Sequence, residues 1–205
     1  MSDNSFRREH ILYLSSNTRS IENFSMENST FKSESANQKY IISLGASTSQ
    51  DYKNIVFKNN VFYCPEGKVN QFGLFVGSKA GIANCVLENN TFVNLETATT
   101  GMVYVDKLAD ISVKNNIFWT NTAGANACII FRPVTTSPSG TTCVNNIVYK
   151  TMTFNWQMFY GGKAPFESME QLNILEANPF DGGTFDLANG IFVPNAEYAE
   201  YGATN

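Results

Sequence analysis

The stretch Asn54-Ile-Val-Phe-Lys-Asn-Asn-Val-Phe62 decides the fold, because the chain repeats it. Three further copies read Asn23-Phe-Ser-Met-Glu-Asn-Ser-Thr-Phe31, Asn84-Cys-Val-Leu-Glu-Asn-Asn-Thr-Phe92 and Asp110-Ile-Ser-Val-Lys-Asn-Asn-Ile-Phe118. A shortened copy follows at Thr142-Cys-Val-Asn-Asn-Ile-Val148. The column Asn28, Asn59, Asn89, Asn115, Asn145 recurs at steps of 31, 30, 26 and 30 residues, a period that signals a solenoid. Before each Asn, apolar and polar residues alternate as in a strand. The Asn then marks a turn, since it tolerates the left-handed backbone region and bonds to nearby main chain. Stacked turns put each amide above the next at roughly 4.8 Å, so an internal polar column satisfies itself without water. This pattern predicts an all-β, single-stranded parallel β-helix with an internal Asn ladder.

Between the copies lies a second strand per coil: Ile11-Leu-Tyr-Leu14, Tyr40-Ile-Ile-Ser-Leu44, Gly73-Leu-Phe-Val76, Gly101-Met-Val-Tyr-Val105, Cys128-Ile-Ile-Phe131 and Gln157-Met-Phe-Tyr160. About six coils fit between Ile11 and Phe166, and parallel crossovers of this kind are right-handed. Phe31, Phe62, Phe92, Phe118 and Val148 form a further column, predicted to stack inside, where each ring contributes roughly 1.5 to 3 kcal/mol of burial. We expect residues 1–176 to form the β-helix and 177–205 a capping segment of the same domain. A solenoid end needs covering. The spacing in Ser168-Met-Glu-Gln-Leu-Asn-Ile-Leu175 predicts a short helix, and Asn189-Gly190 a hairpin turn, together closing the last coil.

Composition narrows the function. The 205 residues are 43% hydrophobic and 16% charged, with 14 Lys and Arg against 18 Asp and Glu, a net charge of -4. That balance argues against nucleic acid as partner, whose binders concentrate positive charge. No apolar run approaches a membrane span. The first residues lack a signal peptide's apolar stretch, and the abrupt strand at Ile11 leads us to expect a leader and further coils upstream, in an extracytoplasmic protein. Cys64, Cys85, Cys128 and Cys143 show no CxxC; Cys85 and Cys143, about two coils apart, read as small buried hydrophobes rather than a disulfide or zinc site. His10 is the only histidine and has no partner nearby in sequence. Asn23-Phe-Ser25, Asn28-Ser-Thr30 and Asn89-Asn-Thr91 match the glycosylation pattern, although the Asn column already accounts for the last two.

The repeated copies, the interposed apolar strand, and the closing Asn178-Pro-Phe-Asp181 with Ala188-Asn-Gly-Ile-Phe192 resemble pectin-lyase-like right-handed parallel β-helix domains of secreted bacterial carbohydrate-associated proteins. The resemblance spans roughly residues 11–193 and is specific for fold, since the same scaffold carries lyases, hydrolases, epimerases and binding modules. If Val103 and Val105 point inward, Tyr104 and Asp106 point outward, with Arg132 beside them. Phe75 and Lys79 from the coil before, Lys107, and Tyr160 with Lys163 from the coil after complete a groove suited to an acidic polysaccharide. The resemblance implies what a lyase would need. Lys79 or Lys107 would be the base that takes the proton α to a uronate carboxylate and Arg132 the group that neutralises that carboxylate, with calcium as a further cation. No other cofactor is expected. Calcium wants several converging oxygens, and only Asp106 and Asp110 lie close in sequence; an Asp106 to Arg132 ion pair across the sheet is the simpler reading. Glu27, Lys58, Glu88 and Lys114 read as a charge ladder on a solvated face, and Trp119 as a rim residue. Three classes of function therefore stay open: a glycan binder, a uronate lyase and a structural or adhesive spacer.

Overall fold

The computed structural model describes residues 10–14, 20–33, 40–46, 52–65, 72–78, 82–95, 101–105, 111–121, 127–131, 142–150, 157–160 and 173–204. The chain winds through five coils of three strands each and a sixth with two described strands. Coil 1 holds β1 (His10–Leu14), β2 (Ile21–Glu27) and β3 (Thr30–Lys32); coil 2 holds β4 (Tyr40–Ala46), β5 (Tyr52–Lys58) and β6 (Val61–Tyr63). Coil 3 comprises β7 (Phe72–Ser78), β8 (Ile82–Glu88) and β9 (Thr91–Val93); coil 4 comprises β10 (Gly101–Val105), β11 (Ile111–Lys114) and β12 (Ile117–Thr120). Coil 5 has β13 (Ala127–Phe131), β14 (Thr142–Val144) and β15 (Ile147–Lys150), and coil 6 has β16 (Gln157–Tyr160) and β17 (Asn173–Ile174). Like strands stack in parallel into three sheets: sheet A in the order β1-β4-β7-β10-β13-β16, sheet B as β14-β11-β8-β5-β2, and sheet C as β17-β15-β12-β9-β6-β3. The predicted parallel β-helix is therefore the observed fold, and residues about thirty positions apart are hydrogen-bonded neighbours.

Asn makes the corners of each coil. Asn28, Asn59, Asn89, Asn115 and Asn145, at the end of sheet B, all have φ between 51° and 55°, the left-handed conformation that Asn adopts at less cost than other side chains. Asn23, Asn54 and Asn84, each the third residue of its strand in sheet B, share the left-handed conformation, with φ of 54° to 56°. Here the structure corrects the sequence reading. The corner residues are exposed or half-exposed, and the buried ladder is the next residue along: Asn60, Asn90 and Asn116 are fully buried and Asn146 nearly so. In that ladder Asn60 Nδ2 donates to Asn90 Oδ1, Asn90 Nδ2 to Asn116 Oδ1 and Asn116 Nδ2 to Asn146 Oδ1, at 3.1, 3.1 and 2.8 Å. Each Nδ2 also reaches back to a carbonyl of the preceding coil, those of Met26, Phe57, Leu87 and Val113. One side chain thus ties three coils together. The corner Asn forms only a partial outer ladder, in which Asn59 Nδ2 donates to Asn28 Oδ1 at 2.5 Å; within the strands, Asn54 and Asn84 donate to Asn23 and Asn54.

Inside, the phenylalanine column is present as predicted. Rings 31 and 62, 62 and 92, and 92 and 118 stack with centroids 5.1, 5.1 and 5.0 Å apart. Val148 and Ile174 continue the column in register. The latter residue overturns the expected helix over 168–175 at its described end: Asn173–Ile174 is a strand on the edge of β15, and Leu175 N donates to Val148 O at 2.8 Å. An unpaired edge draws a strand more strongly than a marginal helical spacing holds a helix. Residues 168–172 lie outside the described set.

The C-terminal segment forms the predicted hairpin, β18 (Thr184–Asp186) against β19 (Ile191–Val193), turning through Gly190 at φ +71°. The Asp186 carboxyl accepts from the side chain and main chain of Asn189 and from the Ala188 N–H, which holds it below the usual carboxylate range. The location differs from expectation. Instead of closing the last coil, the segment straps the outer face of sheet C. Phe180, Phe192 and Ala203 are buried against Val61, Tyr63, Val93, Ile117, Trp119 and Ile147. The strap continues back to coil 2, where Thr204 N donates to Asn59 Oδ1 at 2.7 Å. It also closes other open valences of the coils: Ala203 N donates to Thr91 Oγ1, Gly202 N to Asn115 O, and Asn89 Nδ2 to Glu200 O.

Candidate functional site

The register of sheet A tests the backbone part of the expected groove. Phe75 lies directly beside Tyr104, Tyr104 beside Ile130, and Ile130 beside Tyr160. Ser43 and Tyr13 extend the same column toward the N-terminus. Three of the eight expected groove residues thus share one column. The others, Lys79, Asp106, Lys107, Arg132 and Lys163, lie outside the described residues, as do Asp110 and Trp156. Alternation puts Ile42, Leu44, Leu74 and Val103 on one parity and Ile41, Ser43 and Met102 on the other, yet all seven are buried. Sheet A is therefore covered on both faces at these positions, so the column is not an open platform at its Ser43 rung. Its near-continuous apolar strands carry that signal, since a one-sided sheet alternates.

Sheet B carries the open face. Its inward columns run Phe24-Ile55-Cys85 and Met26-Phe57-Leu87-Val113-Cys143. Its outward columns run Ser25-Val56-Val86-Ser112-Thr142 and Glu27-Lys58-Glu88-Lys114-Val144. The charge ladder read from the sequence is thus present. Lys58 Nζ lies 3.9 Å from a Glu88 carboxylate oxygen, and the other carboxylate oxygen accepts from Ser112 Oγ at 3.0 Å. Exposed pairs of this sort contribute at most about 1 kcal/mol.

Trp119 is enclosed, as a packing residue. Its ring lies 4.5 Å from Phe185, and its Nε1 donates to Asn178 Oδ1 at 3.1 Å. Cys64, Cys85 and Cys143 are all buried. Burial pushes the Cys85 thiol up to about 12, so almost no thiolate exists near neutrality. We expect Cys85 to stay unlabelled by iodoacetamide at pH 8 in the folded protein and to label fully in denaturant, as read by peptide mass spectrometry. Among the described residues no group of three or more His, Cys, Asp or Glu is arranged to hold a metal, and no helix is long and apolar enough to cross a membrane.

What the geometry defines is a class: an Asn-laddered parallel β-helix with a lateral C-terminal strap. Comparison of the chain with family models, with curated proteins and with solved structures finds no match.

Proposed function

We propose that this solenoid is a non-catalytic glycan-binding domain of the pectin-lyase-like kind, working outside the cytoplasm and holding an acidic polysaccharide along sheet A. The observation that supports this reading is the shared column of Phe75, Tyr104 and Tyr160. Coils rise by roughly 4.8 Å, so this column, aromatic at three of the four rungs from Phe75 to Tyr160 with Ile130 between Tyr104 and Tyr160, forms a linear track suited to successive rings of a polymer. In this reading Phe75, Tyr104 and Tyr160 stack on sugar faces. Lys79, Lys107, Arg132 and Lys163 answer the carboxylates, and Asp106 accepts from hydroxyls.

The test is affinity electrophoresis in gels cast with uronate-rich glycans, with absorbance of the same mixtures followed for unsaturated product. Retardation without product is expected. Tyr104→Ala should weaken binding roughly tenfold, the equivalent of about 1.4 kcal/mol, while leaving the urea midpoint unchanged. Product that disappears in Arg132→Ala would make the protein a lyase instead. Absence of retardation in every such gel would leave the spacer reading.

A further inference from the structure

Two of the outward columns of sheet B share a symmetry over coils 1 to 4. Over coils 1 to 4 one column reads Ser25, Val56, Val86, Ser112, which is the same in both directions. The other reads Glu27, Lys58, Glu88, Lys114, which reversed becomes its own charge complement. Both patterns are centred at one place, between coils 2 and 3. Cross-strand pairing within the chain explains the alternation of sign. The flanking hydroxyls also serve within the chain, Ser25 Oγ donating to the Glu27 carboxylate at 2.6 Å and Ser112 Oγ to that of Glu88 at 3.0 Å, but neither contact accounts for the outward-facing apolar pair Val56 and Val86 at the centre.

We propose that this face is the interface of a homodimer, whose twofold axis runs parallel to the strands of sheet B between coils 2 and 3. Such an axis lays each column on its own copy and reverses the order of the coils. Val56 then meets Val86 of the partner subunit, and Ser25 meets Ser112 of the partner subunit. Glu27 faces Lys114 of the partner subunit, and Lys58 faces Glu88 of the partner subunit. Stacking two copies with their coils in the same order would instead set like charge on like charge. The contact is isologous, as in closed dimers, with an apolar centre and a polar rim.

The side chains are available for it. Ser25, Glu27 and Lys58 are exposed, and Val56, Val86, Glu88, Ser112 and Lys114 are half-buried. The strap covers sheet C, and its tail meets this face at the corner column along its border, where Thr204, Glu200 and Gly202 bond to Asn59, Asn89 and Asn115. Four coils at roughly 4.8 Å by five residues at roughly 3.3 Å give on the order of 300 Å² per copy. That is less than half of the about 800 Å² per partner of a standard interface. The dimer is consequently weak, and because its rim is ionic it weakens further with salt. It is independent of the glycan reading, which concerns sheet A.

Sedimentation equilibrium on the full chain, run from micromolar to near-millimolar concentration, tests the proposal. The expected result is a rise toward twice the 22.7 kDa monomer mass at low salt, reverting toward monomer at high salt. The double variant K58E/K114E makes the column wholly acidic, and E27K/E88K makes it wholly basic. Each alone should stay monomeric, and their equimolar mixture should associate again. Val86→Arg, which leaves the charged column intact, should also abolish the dimer. A wild-type chain that remains monomeric throughout overturns the proposal. So does a dimer that survives either double variant, or a mixture of the two that fails to associate.

Discussion

Replacing Asn116 with alanine is expected to lower the unfolding free energy by about 3 to 5 kcal/mol, seen as a fall in the urea midpoint. The Asn116 amide donates to Leu87 O and Asn146 Oδ1, both at 2.8 Å, and its Oδ1 accepts from the Asn90 main chain and side chain at 2.9 and 3.1 Å. The site is fully buried. Truncation leaves the Leu87 carbonyl and the Asn90 N–H in a dry interior, and each orphaned group costs about 1 to 3 kcal/mol. The neighbouring corner residue provides the control. Asn115 needs only its left-handed backbone, at φ 53°, so Asn115→Gly should change stability by less than about 1 kcal/mol. Asn116→Gly should cost at least as much as Asn116→Ala. Equal effects at the two positions would show that the ladder has been assigned to the wrong residue.

That pair of asparagines also marks where the sequence stops being legible. The repeat, its strands and the Phe stack follow from spacing alone, because a parallel solenoid leaves like residues no other neighbours. Spacing cannot say which Asn of Asn59-Asn60 turns the corner and which is buried, since one side chain suits both tasks. A hint lies in coil 1, where the second position is Ser29. Its Oγ donates to Glu27 O within its own coil, whereas each ladder Asn reaches back to a carbonyl of the coil before. The strap was legible too, but in a quieter signal. Val61-Phe-Tyr63 and Ile117-Phe-Trp-Thr120 are apolar on both parities, which a sheet with one wet face does not tolerate, while Thr30-Phe-Lys32 alternates where both outer residues are exposed. The candidate groove was legible only as a column. Register follows from the repeat, but the charged residues assigned to it fall outside the repeated motif and outside the described residues, where no periodicity constrains them.

Ending the chain at Leu175 should have the larger effect and abolish the soluble folded monomer. The strap covers Val61, Tyr63, Val93, Ile117, Trp119 and Ile147, each no more than 5% exposed, and burial of such side chains contributes roughly 1.5 to 3 kcal/mol apiece. Six of them together rival the entire 5 to 15 kcal/mol by which ordinary domains are stable, even after part of that gain is offset by the cost of ordering the strap. The expected observations are aggregation on expression, strong binding of a hydrophobic dye, and a red shift of the Trp119 emission. Gly202→Val probes the same contact without shortening the chain. Gly202 has φ +70°, and a Cβ there would sit 2.5 Å from Thr91 Oγ1 and 2.8 Å from Ile117 Cδ1. The tail must then lift from coils 2 to 4, releasing the bonds from Gly202 N to Asn115 O and from Ala203 N to Thr91 Oγ1, at about 2 to 4 kcal/mol of stability. If instead the truncated chain stays soluble and dye-free, sheet C needs no cover, and its apolar outer columns must face something other than this strap.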